Sequence, residues 1–205
     1  MDSTVLELLE AHDILRPGHI NDQILKDFLC TLTDFQCLST CDQKKLQSFS
    51  SSINNCLNSQ SQKDKYHGLC ALDVLLQQCS SEYLEQNIGS YINSIVNQIF
   101  KGGYVELQTL IRACKVMTKI IEYAPSFPDT SRQLSSLAST LITSMADLSN
   151  KFTGSQVSLF HCISTLMSNY PGACGAIATN VKLIESMLIK YMATSDVLLM
   201  NQVIL

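Results

Sequence analysis

The stretch Ser155 to Gly175, SQVSLFHCISTLMSNYPGACG, restricts the possible folds of this chain more than any other. Val157, Phe160, Ile163, Leu166 and Met167 recur at steps of three and four, which places them on one face of a helix. Ser158, His161, Thr165, Ser168 and Asn169 fall mostly on the opposite side. The run stops at Asn169-Tyr170-Pro171-Gly172, because proline removes a backbone donor and disfavours helical geometry in the residue before it. A second amphipathic run, Ala176 to Met192, opens at once. Helix, hard stop, helix is a hairpin with its apolar faces turned inward.

The same figure occurs twice more. Val105 to Tyr123 carries Leu107, Leu110, Ile111, Cys114, Met117, Ile120 and Ile121 and ends at Ala124-Pro125. Tyr66 to Cys79 carries Leu69, Leu72, Leu75, Leu76 and Cys79. Placing Tyr123-Ala124-Pro125 over Tyr170-Pro171 gives a period in the range of about 40–47 residues expected of HEAT or armadillo units. The pattern predicts an all-α fold: stacked helical hairpins forming an armadillo/HEAT-like α-solenoid. Glycine and proline are sparse, with 8 and 4 residues, so a β-sandwich would lack its turn punctuation.

Ahead of the repeats, Met1–Ala11, Ile20–Leu32 and Cys41–Leu57 read as three further helices. Asn21 or Asp22 serves as a cap, and Ile24, Leu25, Phe28 and Leu29 share a face. Asp34–Thr40 reads as a turn. The polar stretch Asn58 to Lys65 is the best boundary, dividing an acidic head (residues 1–60, packing on or capping the solenoid) from repeats over 61–205. The repeat partners are helices near Glu82–Phe100 and Thr130–Leu148, with breaks at Lys101-Gly102-Gly103, Pro125–Asp129 and Ser149–Gly154. Asp196 to Leu205 starts another amphipathic helix without a polar cap, so either the repeats are expected to continue beyond it or these residues to pack against something else.

Residues 1–42 hold eight acidic groups against Arg16 and Lys26, and the remainder is near neutral. That balance disfavours a protein whose main affinity is for phosphate backbones. Nine cysteines, at 30, 37, 41, 56, 70, 79, 114, 162 and 174, read as reduced thiols, several on apolar faces. No apolar run reaches the roughly 18–20 residues of a membrane span.

The search for chemistry yields little. Cys30, Cys37 and Cys41 with His19 lack the spacing of a tetrahedral metal site. His161 and Cys162 are adjacent, so on a helix they point about 100° apart and cannot form a nucleophile–base pair. No nucleotide-binding glycine loop or hydrolase motif occurs. No cofactor, metal or catalytic residue is therefore expected, and the chain is expected not to be an enzyme. Two surface readings stand. Arg112, Lys115 and Lys119 lie at i, i+3 and i+7, forming a basic stripe: either a solvated helix face or a dock for an acidic partner or ribosomal RNA. Leu72-Asp73-Val74-Leu75-Leu76 matches the LxxLL form of receptor-binding helices, yet its leucines are also the inward stripe of a repeat helix.

Three segments carry a family resemblance: Tyr66-His67-Gly68-Leu69-Cys70-Ala71-Leu72, Leu110-Ile111-Arg112-Ala113-Cys114-Lys115-Val116, and Tyr170-Pro171-Gly172-Ala173-Cys174-Gly175. From about Tyr66 onward the chain resembles the amino-terminal helical region of the Rix-type pre-rRNA-processing proteins, whose animal members are the proline-, glutamic-acid- and leucine-rich proteins. The resemblance implies a scaffold of the rixosome that joins a WD-repeat propeller protein to a second helical-repeat protein. It also implies work with the midasin-type AAA ATPase on pre-60S particles and their spacer RNA, in the nucleolus and nucleoplasm of the nucleus. The family's acidic, proline-rich tail and nuclear-import signals have no counterpart in this sequence. Direct RNA contact and homodimerisation stay open. The other reading is a HEAT-like adaptor that binds linear peptides in nuclear transport or transcriptional coregulation.

Overall fold

The computed structural model describes residues 14–35, 43–170 and scattered positions between 175 and 189. Among the described residues every regular element is helical. In chain order they are α1 (Asp22–Phe35), α2 (Gln43–Leu57), α3 (Gln62–Gln78), α4 (Ser81–Ile95), α5 (Leu107–Tyr123), α6 (Pro128–Lys151) and α7 (Gln156–Asn169). A π-turn, Val96–Phe100, extends α4, and short 3-10 turns at Ala124–Ser126 and Thr153–Ser155 precede α6 and α7.

Local chemistry sets these boundaries. The Asn21 side-chain oxygen accepts from the backbone N–H groups of Gln23 and Ile24 at 3.0 and 3.1 Å, so Asn21 is the cap of α1. Ser61 caps α3 and Ser80 caps α4, each accepting from the backbone N–H three residues on. Pro128 occupies the first turn of α6, where its missing N–H costs nothing. The π-turn ends where the Lys101 N–H reaches back to the Val96 carbonyl at 2.8 Å. Gly102 is required there, because a Cβ would lie 2.5 Å from the Gln98 oxygen.

The helices form two layers. α1, α3, α5 and α7 lie side by side in one, and α2, α4 and α6 in the other, with α2 packed tightly on α3. Each helix thus meets the equivalent helix of the next repeat. Polar bonds between repeats carry the same period: Gln78 Nε2 to the Leu32 carbonyl, Asn58 to Ser94, and Gln133 to Asn93. This is the stacked-hairpin α-solenoid that the periodicity predicts. One continuous apolar core runs from Leu15 to Tyr170 and passes through α1 and α2 as well as the later helices. Its centre is Leu69, Leu72 and Leu75 of α3 with Leu110, Met117 and Ile120 of α5, all fully buried. Each such side chain contributes about 1.5–3 kcal/mol through burial.

Several boundaries and faces differ from the sequence expectation. Asp64 and Lys65 belong to α3 and are buried, so the polar connection ends at Ser61. The reason is local pairing: Asp64 accepts from the Ser59 hydroxyl at 2.8 Å and the Gly18 N–H at 3.0 Å, while Lys65 Nζ donates to the Gln98 carbonyl at 3.1 Å. In α7 the buried side is Leu159, Cys162, Ile163 and Leu166; Val157 and Phe160 are half-buried and Met167 is exposed. Apolar residues cover more than half of this helix's circumference, so spacing alone does not select which part of that arc is buried. Likewise Ile24 and Leu107, at the starts of α1 and α5, are exposed. Asp34 and Phe35 extend α1. Met1–Ala11, Cys37, Cys41, Cys174 and Asp196–Leu205 lie outside the described residues.

Candidate functional site

Three helices of the first layer shape a groove of about 840 Å3, with α3 as its floor and α1 and α5 as its walls. The floor presents Lys63, Tyr66, His67, Cys70, Asp73 and Val74 at the three- and four-residue steps of one helix face. Leu25, Leu29 and Cys30 line one wall, and Gln108, Thr109 and Arg112 the other.

At one end, Asp22 receives Lys63 Nζ at 3.0 Å and His67 Nε2 at 2.9 Å. Its bond to Lys63 is the main cause holding the Asp22 carboxyl below the usual range. His67 is buried, and burial pulls its imidazole below the ordinary value despite the attraction of Asp22. With Nε2 donating to Asp22, Nδ1 is a bare acceptor, and it has no hydrogen-bond partner.

At the other end, Asp73 accepts from Arg112 Nη1 at 3.2 Å and from Lys119. The Arg112 guanidinium also sits over the Tyr66 ring at 5.8 Å from its centroid, a cation–π stack. The basic stripe is therefore only partly a solvated face. Arg112 and Lys119 share one carboxylate from the neighbouring repeat, and of the three only Lys115 is classed as exposed. Leu72, Leu75 and Leu76 are in the core, so the LxxLL segment presents only Asp73 and Val74 outward.

The thiols are quiet. Burial pushes Cys56 and Cys162 up to about 12 and raises Cys114 as well, so none is a thiolate at neutral pH. Burial also raises Cys70, with Arg112 drawing it partly back. His161 is exposed while its neighbour Cys162 is buried. Among the described residues no three His, Cys, Asp or Glu side chains are grouped to hold a metal ion, and no helix is long and apolar enough to cross a membrane.

The RIX1 family model, described as rRNA processing/ribosome biogenesis, matches residues 4–198. The chain belongs to the RIX1 family. Its role is accordingly in rRNA processing and ribosome biogenesis. No curated protein and no solved structure matches the chain. The match extends the resemblance toward the amino terminus, through α1 and α2, where the sequence offered no recognisable segment. Within this RIX1-family chain, sequence reasoning found Arg112 and Lys119 but missed their counterion. Asp73 lies between leucines of the apolar stripe in the sequence but faces the groove, and its role appears only once α3 and α5 are placed side by side. The Asp22–His67 pair was missed for the same reason.

Proposed function

We propose that this RIX1-family chain is a non-catalytic scaffold of a rixosome-type complex, acting in large ribosomal subunit maturation and pre-rRNA spacer processing in the nucleolus and nucleoplasm. The observation that carries this reading is the two-layer stack itself: an extended helical surface on which several ionisable groups are paired with one another. His67 is committed to Asp22, and Arg112 and Lys119 to Asp73. An open stack of this kind binds by shape and by a few buried anchors. The proposed partners are a WD-repeat propeller protein, a second helical-repeat protein and a midasin-type AAA ATPase on the pre-60S particle.

Affinity purification of the tagged chain from nuclear extract tests the proposal. Recovery of the propeller protein, the ATPase and spacer-containing precursor RNA is the expected result. A second reading, an adaptor for linear peptides, draws on the groove along α3, which has the shape for an extended segment. Recovery of cargo-like peptides or receptors without precursor particles would favour that adaptor instead.

A further inference from the structure

The connections that lead into α1, α3, α5 and α7 lie at one end of the stack, and contacts between them make a continuous rim. The Gly18 N–H and the Ser59 hydroxyl donate to the same oxygen of Asp64. Gln62 donates to the Tyr104 carbonyl at 2.9 Å and accepts from the Glu106 N–H at 3.2 Å. A Cβ on Gly154 would lie 3.1 Å from the Leu107 side chain. Three of these connections carry an exposed cation: Arg16 ahead of α1, Lys101 ahead of α5 and Lys151 ahead of α7. None of the three forms an ion pair among the described residues. Of the nearby acids, Asp22 holds Lys63 and His67, and Asp64 is buried beneath Ser59 and Gly18. Glu106 and, a turn back on α6, Asp147 are left as counter-charges. Gly102 and Gly103 keep the loop bare between Lys101 and Tyr104, whose ring is 68% exposed. The bond from Gln62 runs to the Tyr104 backbone and leaves that ring uncommitted.

We propose that this rim is a contact surface for single-stranded RNA, on which Tyr104 stacks against a base while Arg16, Lys101 and Lys151 meet phosphates along the strand. This rests on the scaffold reading and names a place where the chain itself touches precursor RNA. An open aromatic ring among separated cations suits a strand whose splayed bases and phosphates alternate. A duplex keeps its bases stacked and out of the ring's reach. An acidic protein segment would need an apolar patch for its own side chains, and beside Tyr104 the rim offers only Leu107, held against Gly154. The formal net charge of −4 keeps such binding weak and salt-sensitive, an addition to affinity that protein partners supply.

The test is fluorescence anisotropy of the full chain with a labelled, uridine-rich RNA of about a dozen nucleotides, over a range of salt. Three phosphate contacts on a single strand predict a log–log salt slope of about −2. Arg16→Gln, Lys101→Gln and Lys151→Gln should each flatten it by about 0.7. Tyr104→Ala should weaken binding roughly tenfold with the slope unchanged, whereas Tyr104→Phe, which still stacks, should bind like the wild type. Lys115→Gln, exposed two turns along α5 from the rim, is the control and should leave the slope as it is. All of these side chains are exposed, so the variants should melt like the wild type. Duplex RNA of equal length should bind more weakly and without regard to Tyr104. Absence of binding at low salt, indifference to Tyr104→Ala, a Lys115→Gln effect as large as that of Lys101→Gln, or tighter binding of labelled polyglutamate that Lys101→Gln weakens would each overturn the proposal. Purification of the tagged chain from nuclear extract separates the two levels. If RNA binding fails while the propeller protein and the ATPase are recovered, this surface is wrong and the scaffold reading survives; if they too are missing, the scaffold reading falls with it.

Discussion

Asp73 and Arg112 stand 39 residues apart in the chain, yet Nη1 of the guanidinium donates to the Asp73 carboxylate at 3.2 Å across the α3–α5 seam. Lys119 reaches the other carboxylate oxygen. One acidic side chain thus ties two turns of the next repeat to its own. Asp73 is 18% exposed, so the pair is partly sheltered from solvent screening. Asp73→Ala should destabilise the chain by about 1–2 kcal/mol, in the range of hydrogen bonds to charged groups. Urea denaturation with an unchanged slope and a lower midpoint would register it. Arg112→Lys should cost less than Asp73→Ala but more than nothing, because lysine keeps the charge and loses the planar stack on Tyr66.

The leucines next to Asp73 give the sharper stability test. Leu75 is 0% exposed, and an aspartate there would bury a charge with no partner. Leu75→Asp should remove several kcal/mol, enough to leave the stack unfolded or molten at ambient temperature. Near-wild-type melting of this variant would show that the LxxLL segment is free to serve as a receptor-binding helix.

Gly68 marks a close approach of α2 and α3. A Cβ at this position would lie 2.9 Å from the Cys56 Cβ and 3.3 Å from the Ile53 carbonyl oxygen and the Leu57 nitrogen. All three are backbone or stem atoms that cannot swing aside, so the helices themselves must part. Gly68→Ala gains helix propensity but should still be net destabilising, by about 1–3 kcal/mol from overpacking. Thermal melting decides the sign. Gly103, where a Cβ meets nothing, is the control: Gly103→Ala should shift the midpoint little.

How much of this was legible beforehand depends on the kind of feature. Helix existence and the inward leucines of α3 follow from periodicity, because burial on one side and a 3.6-residue turn leave a direct imprint on spacing. The faces of α7 and the start of α1 do not. Leu159 and Met167 are equally apolar, and which of them is covered depends on where α5 lies. The groove was least visible. Asp22, His67 and Asp73 acquire meaning only as neighbours across a repeat seam, and a single sequence carries the period of that seam but not its register. Asp64 illustrates the converse. It reads as part of a polar linker, yet it is buried because Ser59 and Gly18 satisfy it.

His67 predicts the direction of a pH effect. Burial holds its folded-state value below the unfolded one of about 6.5, so in the intervening range the unfolded chain binds more protons. Stability should rise with pH through that window and be complete above about 6.5. On acidification the destabilisation grows and then levels off below the folded value. His67→Gln removes the titrating group while keeping a donor for Asp22. Its melting temperature should therefore fall less than that of the wild type between neutral and mildly acidic buffer. A wild-type melting temperature that rises on acidification would mean that the attraction of Asp22 outweighs burial, the reverse of the order inferred for this site.

The cysteines separate structure from reactivity in a way that one labelling experiment reads out. Cys30 is exposed on α1, whereas Cys56, Cys114 and Cys162 are buried in the core. Cys56 also donates its S–H to the Leu15 carbonyl at 3.2 Å, and with Cys162 it is pushed up to about 12. At mildly alkaline pH the thiolate fraction of these two is on the order of one in ten thousand, and the attacking reagent has no path to them. Brief alkylation of the native chain followed by peptide mass spectrometry should modify Cys30 and leave Cys56, Cys114 and Cys162 untouched. Protection of those three should vanish together in denaturant, at the midpoint of helix loss, because α2, α5 and α7 share one core. Staggered loss, with Cys162 labelled before Cys56, would instead mean that the repeats open one at a time from the α7 end, as stacks held only by nearest neighbours are able to do.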